Sequence, residues 1–162
     1  MLTSIAQFRE IWQGESAATA RILEALTDAS LAQRVTPRDR SLGEIAWHTA
    51  TSIPEMADRT GLRVAGRDRH AATPVSAATI RDAYARSAAD LLERVSAGWT
   101  DDTLRVEDDM YGEPWPRGLT LQALVLHEVH HRGQITVLMR QAGLAVPGVY
   151  GPNREEMEAM RA

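Results

Sequence analysis

The sequence predicts an all-α fold, a four-helix bundle. Four segments repeat apolar residues at three- and four-residue steps, and the stretches between them carry Pro, Gly and polar residues without sustained period-two alternation. Length adds a third observation. A chain of 162 residues, 44% hydrophobic, suits a single domain over 1–162 that buries about 70% of its unfolded-chain surface, so folding needs no metal.

The first helix is expected from residue 4 to about 29, on Ile5, Phe8, Ile11, Trp12, Ile22, Leu23 and Leu26, with Ser4 and Gln7 as a capping-box start. Residues 34–40, with Pro37, read as a loop. Ser41 and Glu44 form a second capping box at the head of a helix to about residue 60, which Pro54 should kink or break. Residues 61–74 are polar and irregular. Ser76 then caps a third helix carrying Ile80, Tyr84, Ala88, Leu91, Leu92 and Val95 to about residue 97.

Between residues 100 and 118 the pattern breaks at Gly112, Pro114, Pro116 and Gly118, which predicts a long loop. Leu104 and Val106 support at most a small extended piece. The fourth helix, about residues 119–142, holds only Glu128, Arg132 and Arg140 as charged residues, so much of its circumference must be buried. Gly143 and Pro147 end it. Such burial exceeds the need of one bundle, and a homodimer that covers one face of this helix is expected. A loop over 149–153 leads into a short polar helix from Arg154.

Charge and composition narrow the function. A net charge of −4 and a pI of about 5.7 argue against nucleic acid or an anionic membrane as partner. The chain has no cysteine, which removes disulfides, thiolate metal sites and a cysteine nucleophile and fits a cytoplasmic location. Residues 1–10 do not resemble a signal peptide, and the uncharged run 118–127 is too short to span a membrane.

Three of the five histidines fall between residues 127 and 131. His127 and His131 are one helical turn apart, roughly 40° around the axis, and so aim at one point as a bidentate metal clip. Neutral imidazoles suit Zn, Ni, Cu or Fe. A third ligand must come from elsewhere, and His48, beside Leu42, Ile45, Ala46, Trp47 and Thr49 in the second helix, is better placed than His70 in its loop among Arg67, Asp68, Arg69 and Thr73. A lone helical histidine is usually an ordinary hydrogen-bonded residue. A pair on an apolar helix carries more weight, because burying two imidazoles without partners is costly. His130 points to another face and reads as an interface residue.

The segment from His127 through Gln134, continuing to Arg140, Gly143, Pro147 and Tyr150, together with His48 in the second helix, resembles the DinB/YfiT-like superfamily over essentially the whole chain. That resemblance implies up-down-down-up topology, a dimer, and Zn or Ni held by His48, His127 and His131. It also implies thiol-dependent chemistry on a small-molecule substrate, since relatives include bacillithiol S-transferases and a mycothiol-dependent maleylpyruvate isomerase. A low-molecular-weight thiol is then the expected co-substrate. Other members respond to DNA damage, which makes a non-catalytic metal-binding stress module the alternative.

A rival pattern overlaps the same residues. His127, Glu128 and His131 spell His-Glu-x-x-His, the zincin peptidase signature, with Glu128 as base and Glu155 or Glu156 as a distant third ligand. No sheet is evident to align a peptide. For the thiol-dependent enzyme, Glu128 and Arg132 are the candidates for a dedicated base or thiol-binding group. Glu44 is weighed as an acceptor for the second N–H of His48 or as a cap for Ser41. Gly133 suggests close backbone approach, and Arg132 and Gln134 are read as interface groups, supports for the ligands or solvated positions. Trp12, Trp47 and Trp115 are core residues first and pocket walls second. Asp101, Asp102, Glu107, Asp108 and Asp109 form a solvated acidic run, beyond which Met110, Tyr111, Pro114 and Trp115 form a candidate pocket cover.

Overall fold

Ser4, Ser41 and Ser76 each accept a hydrogen bond from the backbone N–H three residues on, satisfying donors that a helix start leaves free. They open α1 (Ile5–Glu24), α2 (Leu42–Arg59) and α3 (Ala77–Gly98) in the computed structural model, which describes residues 1–66 and 70–161. The remaining elements are β1 (Glu107–Met110), β2 (Glu113–Pro116), α4 (Arg117–Gln141) and α5 (Arg154–Ala159). Glu44 returns a 2.6 Å bond to the Ser41 N–H and pairs with Arg34 at 2.9 Å, so it caps α2. Gln7 returns no such bond to Ser4, and the first box is only half formed.

Hydrogen bonds between helix ends fix the directions. Leu2 N–H donates to Gly118 O, bringing the starts of α1 and α4 together. Asp28 accepts from Ala77 N–H, which sets the end of α1 at the start of α3. Leu42 N–H reaches back to Gln33 O at the end of the first helical region, and Arg117 donates to Thr60 O, placing the end of α2 at the start of α4. The result is up-down-down-up. Around the bundle, α1 and α2 each pack against both α3 and α4. Phe8, Trp12, Ile22, Leu42, Ile53, Ile80, Tyr84, Leu91 and Ile135 fill the interior.

Three expectations need correction. First, α1 stops at Glu24, because Thr27 turns extended and starts a 3-10 turn, Asp28–Ala32, with its own capping box. Second, α2 runs unbroken through Pro54. Ile53, Pro54, Met56 and Ala57 are all buried, and tertiary packing of that face offsets the roughly 3 kcal/mol that an interior proline costs. Third, residues 100–118 are not a plain loop: after a 3-10 turn at Thr103–Arg105, β1 and β2 form a hairpin paired from Glu107↔Pro116 to Met110↔Glu113.

Tyr111 and Gly112 turn that hairpin, both at positive φ (62° and 92°), as a tight two-residue connection requires. Its strand residues, Glu, Asp and Pro among them, have low strand preference. Tertiary contacts hold them. Met110 is fully buried, Arg117 pairs with Asp108 at 2.8 Å, and Tyr111 donates to Glu55 at 2.8 Å under the Arg59 guanidinium.

The tryptophans are mainly structural. Trp12 is fully buried and donates to Ala88 O, whereas Trp47 donates to Ala71 O. Trp115 is half-buried on the hairpin. On α4, Leu121, Leu124, Val125, Ile135, Leu138 and Met139 face the core, while Leu126 and Val137 stand 58% and 55% exposed. Those two leave an apolar stripe uncovered within one chain. Gly133 is exposed and a Cβ there meets nothing within 4 Å, so the expected close approach does not occur inside the chain. Among the described residues, no helix is long and apolar enough to cross a membrane.

Candidate metal centre

Antiparallel packing of α2 against α4 sets His48 opposite His127 and His131. The His127 Nε2 lies 3.2 Å from His48 Nε2 and 3.0 Å from His131 Nε2. One donor atom from each ring falls within 4.8 Å of the other two, and among the described residues only these three form such a group. His130 contacts His131 edge to face but lies exposed outside the group, and His70 also stays outside it. Arg67, Asp68 and Arg69 lie outside the described residues.

Burial holds the His48 and His127 imidazoles down at about 4, and the neighbouring His131 acts in the same direction. His131 is lowered as well, chiefly by burial and partly countered by its bond to Gln134. The rings are therefore neutral at neutral pH. Gln134 Oε1, 2.7 Å from His131 Nδ1, accepts that N–H and leaves the Nε2 lone pair facing the cluster. Ser52 donates to His48 O at 2.7 Å and presents its oxygen 3.5 Å from His48 Nδ1. Gln134 is thus a ligand support, whereas Glu44 is not.

This donor set fits a transition metal. Ring nitrogens about 3 Å apart, as His127 Nε2 is from each of the other two, repel one another through their lone pairs unless a cation or proton lies between them, and rings with lowered pKa hold protons poorly. For tetrahedral coordination with metal–nitrogen bonds of about 2.0–2.1 Å, the donor–donor edge is about 3.3 Å. The observed separations of 3.0 and 3.2 Å come close to it.

Glu128 and Arg132 are engaged on the other side of α4. Glu128 is 2% exposed and accepts from Tyr84 at 2.5 Å, with burial raising its pKa. Its carboxylate is not part of the three-histidine group. Arg132 is 3% exposed and binds Glu15, Thr19 and Tyr150, tying α4 to α1 and to the chain after α4. Glu155 pairs with Arg140, and Glu156 caps α5 through Asn153, so neither joins the histidines. The peptidase pattern is present in sequence, but its glutamate faces α3.

Sequence reasoning missed Arg40 and Glu55. Both lie close enough for their charges to act on the histidines, Arg40 on His48 and His131, Glu55 on His48 and His127. Glu55 is seven residues after His48, on the same face of α2, a spacing that could have identified it. Arg40 sits in a loop, where no periodicity marks it.

The whole chain, residues 1–162, matches the DinB family model. It is 40% identical over 156 residues to a protein of Bacillus subtilis (strain 168) described as the uncharacterized protein YrdA, covering 96% of this chain and 93% of that one. The crystal structure of a DinB-like protein from Bacillus cereus ATCC 10987 is 43% identical with a TM-score of 0.89, over 93% of this chain and 100% of the other. A DinB-like protein from Bacillus subtilis, YjoA, shares the fold at a TM-score of 0.70 and 17% identity, over 91% and 99% of the two chains. The chain belongs to the DinB family.

Proposed function

We propose that this protein is a metal-dependent enzyme that holds a divalent transition metal, zinc or nickel, on His48, His127 and His131. It uses an external low-molecular-weight thiol in transfer, isomerisation or hydrolysis of a small molecule. The observation that carries this reading is the convergence of three neutral, desolvated imidazoles on one point. Three protein ligands leave a further position open, as catalytic sites do. Bound there, the metal supplies Lewis acidity that brings the pKa of a coordinated water or thiol toward neutrality. The chain itself aligns the ligands through Gln134 and Ser52, and it has no cysteine, so any reacting sulfur comes from outside.

Elemental analysis of untagged protein tests the site. It should give one transition metal per chain, lost in His48→Ala, His127→Ala and His131→Ala and kept in His130→Ala. Full occupancy in His48→Ala refutes the three-histidine set. Cobalt-loaded protein should then develop a sulfur-to-metal charge-transfer band with bacillithiol, mycothiol or glutathione, together with conjugation of a model electrophile.

One observation favours the second reading, a metal-binding stress-response module without turnover. Both sequence candidates for acid–base work, Glu128 and Arg132, are committed to internal bonds. Metal binding with neither the band nor turnover selects that reading. The exposed Leu126 and Gly133 on α4 support a homodimer through this helix. Sedimentation should show a dimer that Leu126→Glu dissociates.

A further inference from the structure

Beside the three histidines, between α4 and the loop that leads into α2, lies a hollow of about 470 Å³. Val35, Ile45, Val137 and Leu138 make its apolar wall, and His131 opens into it. The volume falls in the range of small-molecule sites. Arg40 and Asp39 supply its charge. The Asp39 carboxylate accepts from Thr36 N–H of its own loop at 3.1 Å, and its main-chain carbonyl accepts from Arg34. Arg40 makes no hydrogen bond or ion pair among the described residues and lines the hollow together with His131.

We propose that this hollow receives the substrate and that Arg40 reads a carboxylate on a small molecule whose apolar portion lies against Val35, Ile45, Val137 and Leu138. The inference rests on the three histidines being the reactive centre and adds the class of molecule presented to it. A guanidinium matches a carboxylate with two parallel N–H donors, and it stays charged at every working pH. Flanking apolar surface then discriminates by length, because each methylene fully covered strengthens binding about fourfold. With its carboxylate on Arg40 and its chain along Ile45 and Leu138, a substrate lies alongside His131.

The test is ligand-observed NMR titration of metal-loaded full-length protein with acetate, butyrate, hexanoate and hexanamide, with metal content measured in every sample. Affinity should rise from acetate to hexanoate, and hexanoate should exceed hexanamide. Arg40→Ala should weaken hexanoate about tenfold while leaving hexanamide within twofold and metal content unchanged. Arg40 is exposed, so this variant keeps its fold. An unchanged hexanoate affinity in Arg40→Ala overturns the proposal, as does loss of binding on metal removal alone, which would seat the carboxylate on the metal. Dissociation of a dimer by Arg40→Ala also overturns it, since the hollow would then be covered by a second copy. Arg40-dependent binding in protein that carries no metal supports the carboxylate site while refuting the metal centre.

Discussion

Gln134→Leu isolates the support given to one ligand without touching any ligand. In the native chain Gln134 Oε1 accepts from His131 Nδ1 at 2.7 Å, which fixes the tautomer and raises the basicity of Nε2. Leucine has similar bulk and no acceptor. Loss of such a partner weakens metal affinity about 10- to 100-fold, or about 1.4–2.7 kcal/mol at 1.36 kcal/mol per decade. In saturating free metal, the stabilisation that the metal confers should fall by the same amount. Gln134 is exposed, so the metal-free variant should unfold within about 0.5 kcal/mol of wild type. Competition against a chromophoric chelator gives the affinity, and urea unfolding with and without metal gives the linkage. A dissociation constant within twofold of wild type would refute the assigned role. So would a loss of stability that is equal with and without metal, because the side chain would then serve the fold alone.

Other outcomes follow from packing and charge. Arg132→Ala should cost about 2–4 kcal/mol in urea unfolding, because it strands Glu15 and Thr19. The upper figure applies to fully buried partners, and Glu15 keeps 19% exposure. Gly118→Ala should lower stability by about 1–3 kcal/mol, since a Cβ there overlaps the Leu2 carbonyl oxygen; an unchanged midpoint would show that the first residues move aside freely. Asp90 has its pKa lowered by Arg94 and by the Ala65 N–H. A lowered folded pKa means stability present above the ordinary value of 3.8 and lost as pH falls through the lower one. The gap of about 1 kcal/mol expected between wild type and Asp90→Asn at pH 7 should therefore close below pH 4 in acid-dependent unfolding. A gap independent of pH would exclude the charge as its source.

The four long helices were legible because their signals are local. Ser41 with Glu44, and Ser76 before Ile80, satisfy helix-start donors within four residues, and the apolar steps that follow define the buried face. The hairpin was not, since Glu107–Met110 and Glu113–Pro116 carry little strand preference and are held by Met110 in the core and Tyr111 on Glu55. Pro54 misled for the same reason: its cost is local, and the burial that offsets it comes from other helices.

The site divides along the same line. Sequence alone determined the His127 and His131 pair, because one helical turn places i and i+4 on a common face whatever surrounds the helix. It also nominated His48, with the family resemblance naming all three. Only the tertiary structure decided that His48 meets that pair across α2 and α4 and that Glu128 turns to Tyr84, whereas the Glu44 cap and the Gln134 support of His131 are local contacts three residues apart. The tertiary structure likewise sets Arg40 in the wall of the hollow that His131 lines. The His48–His127 and Glu128–Tyr84 contacts join residues tens of positions apart, set by how the helices pack, and no short-range periodicity encodes which neighbour a side chain will find.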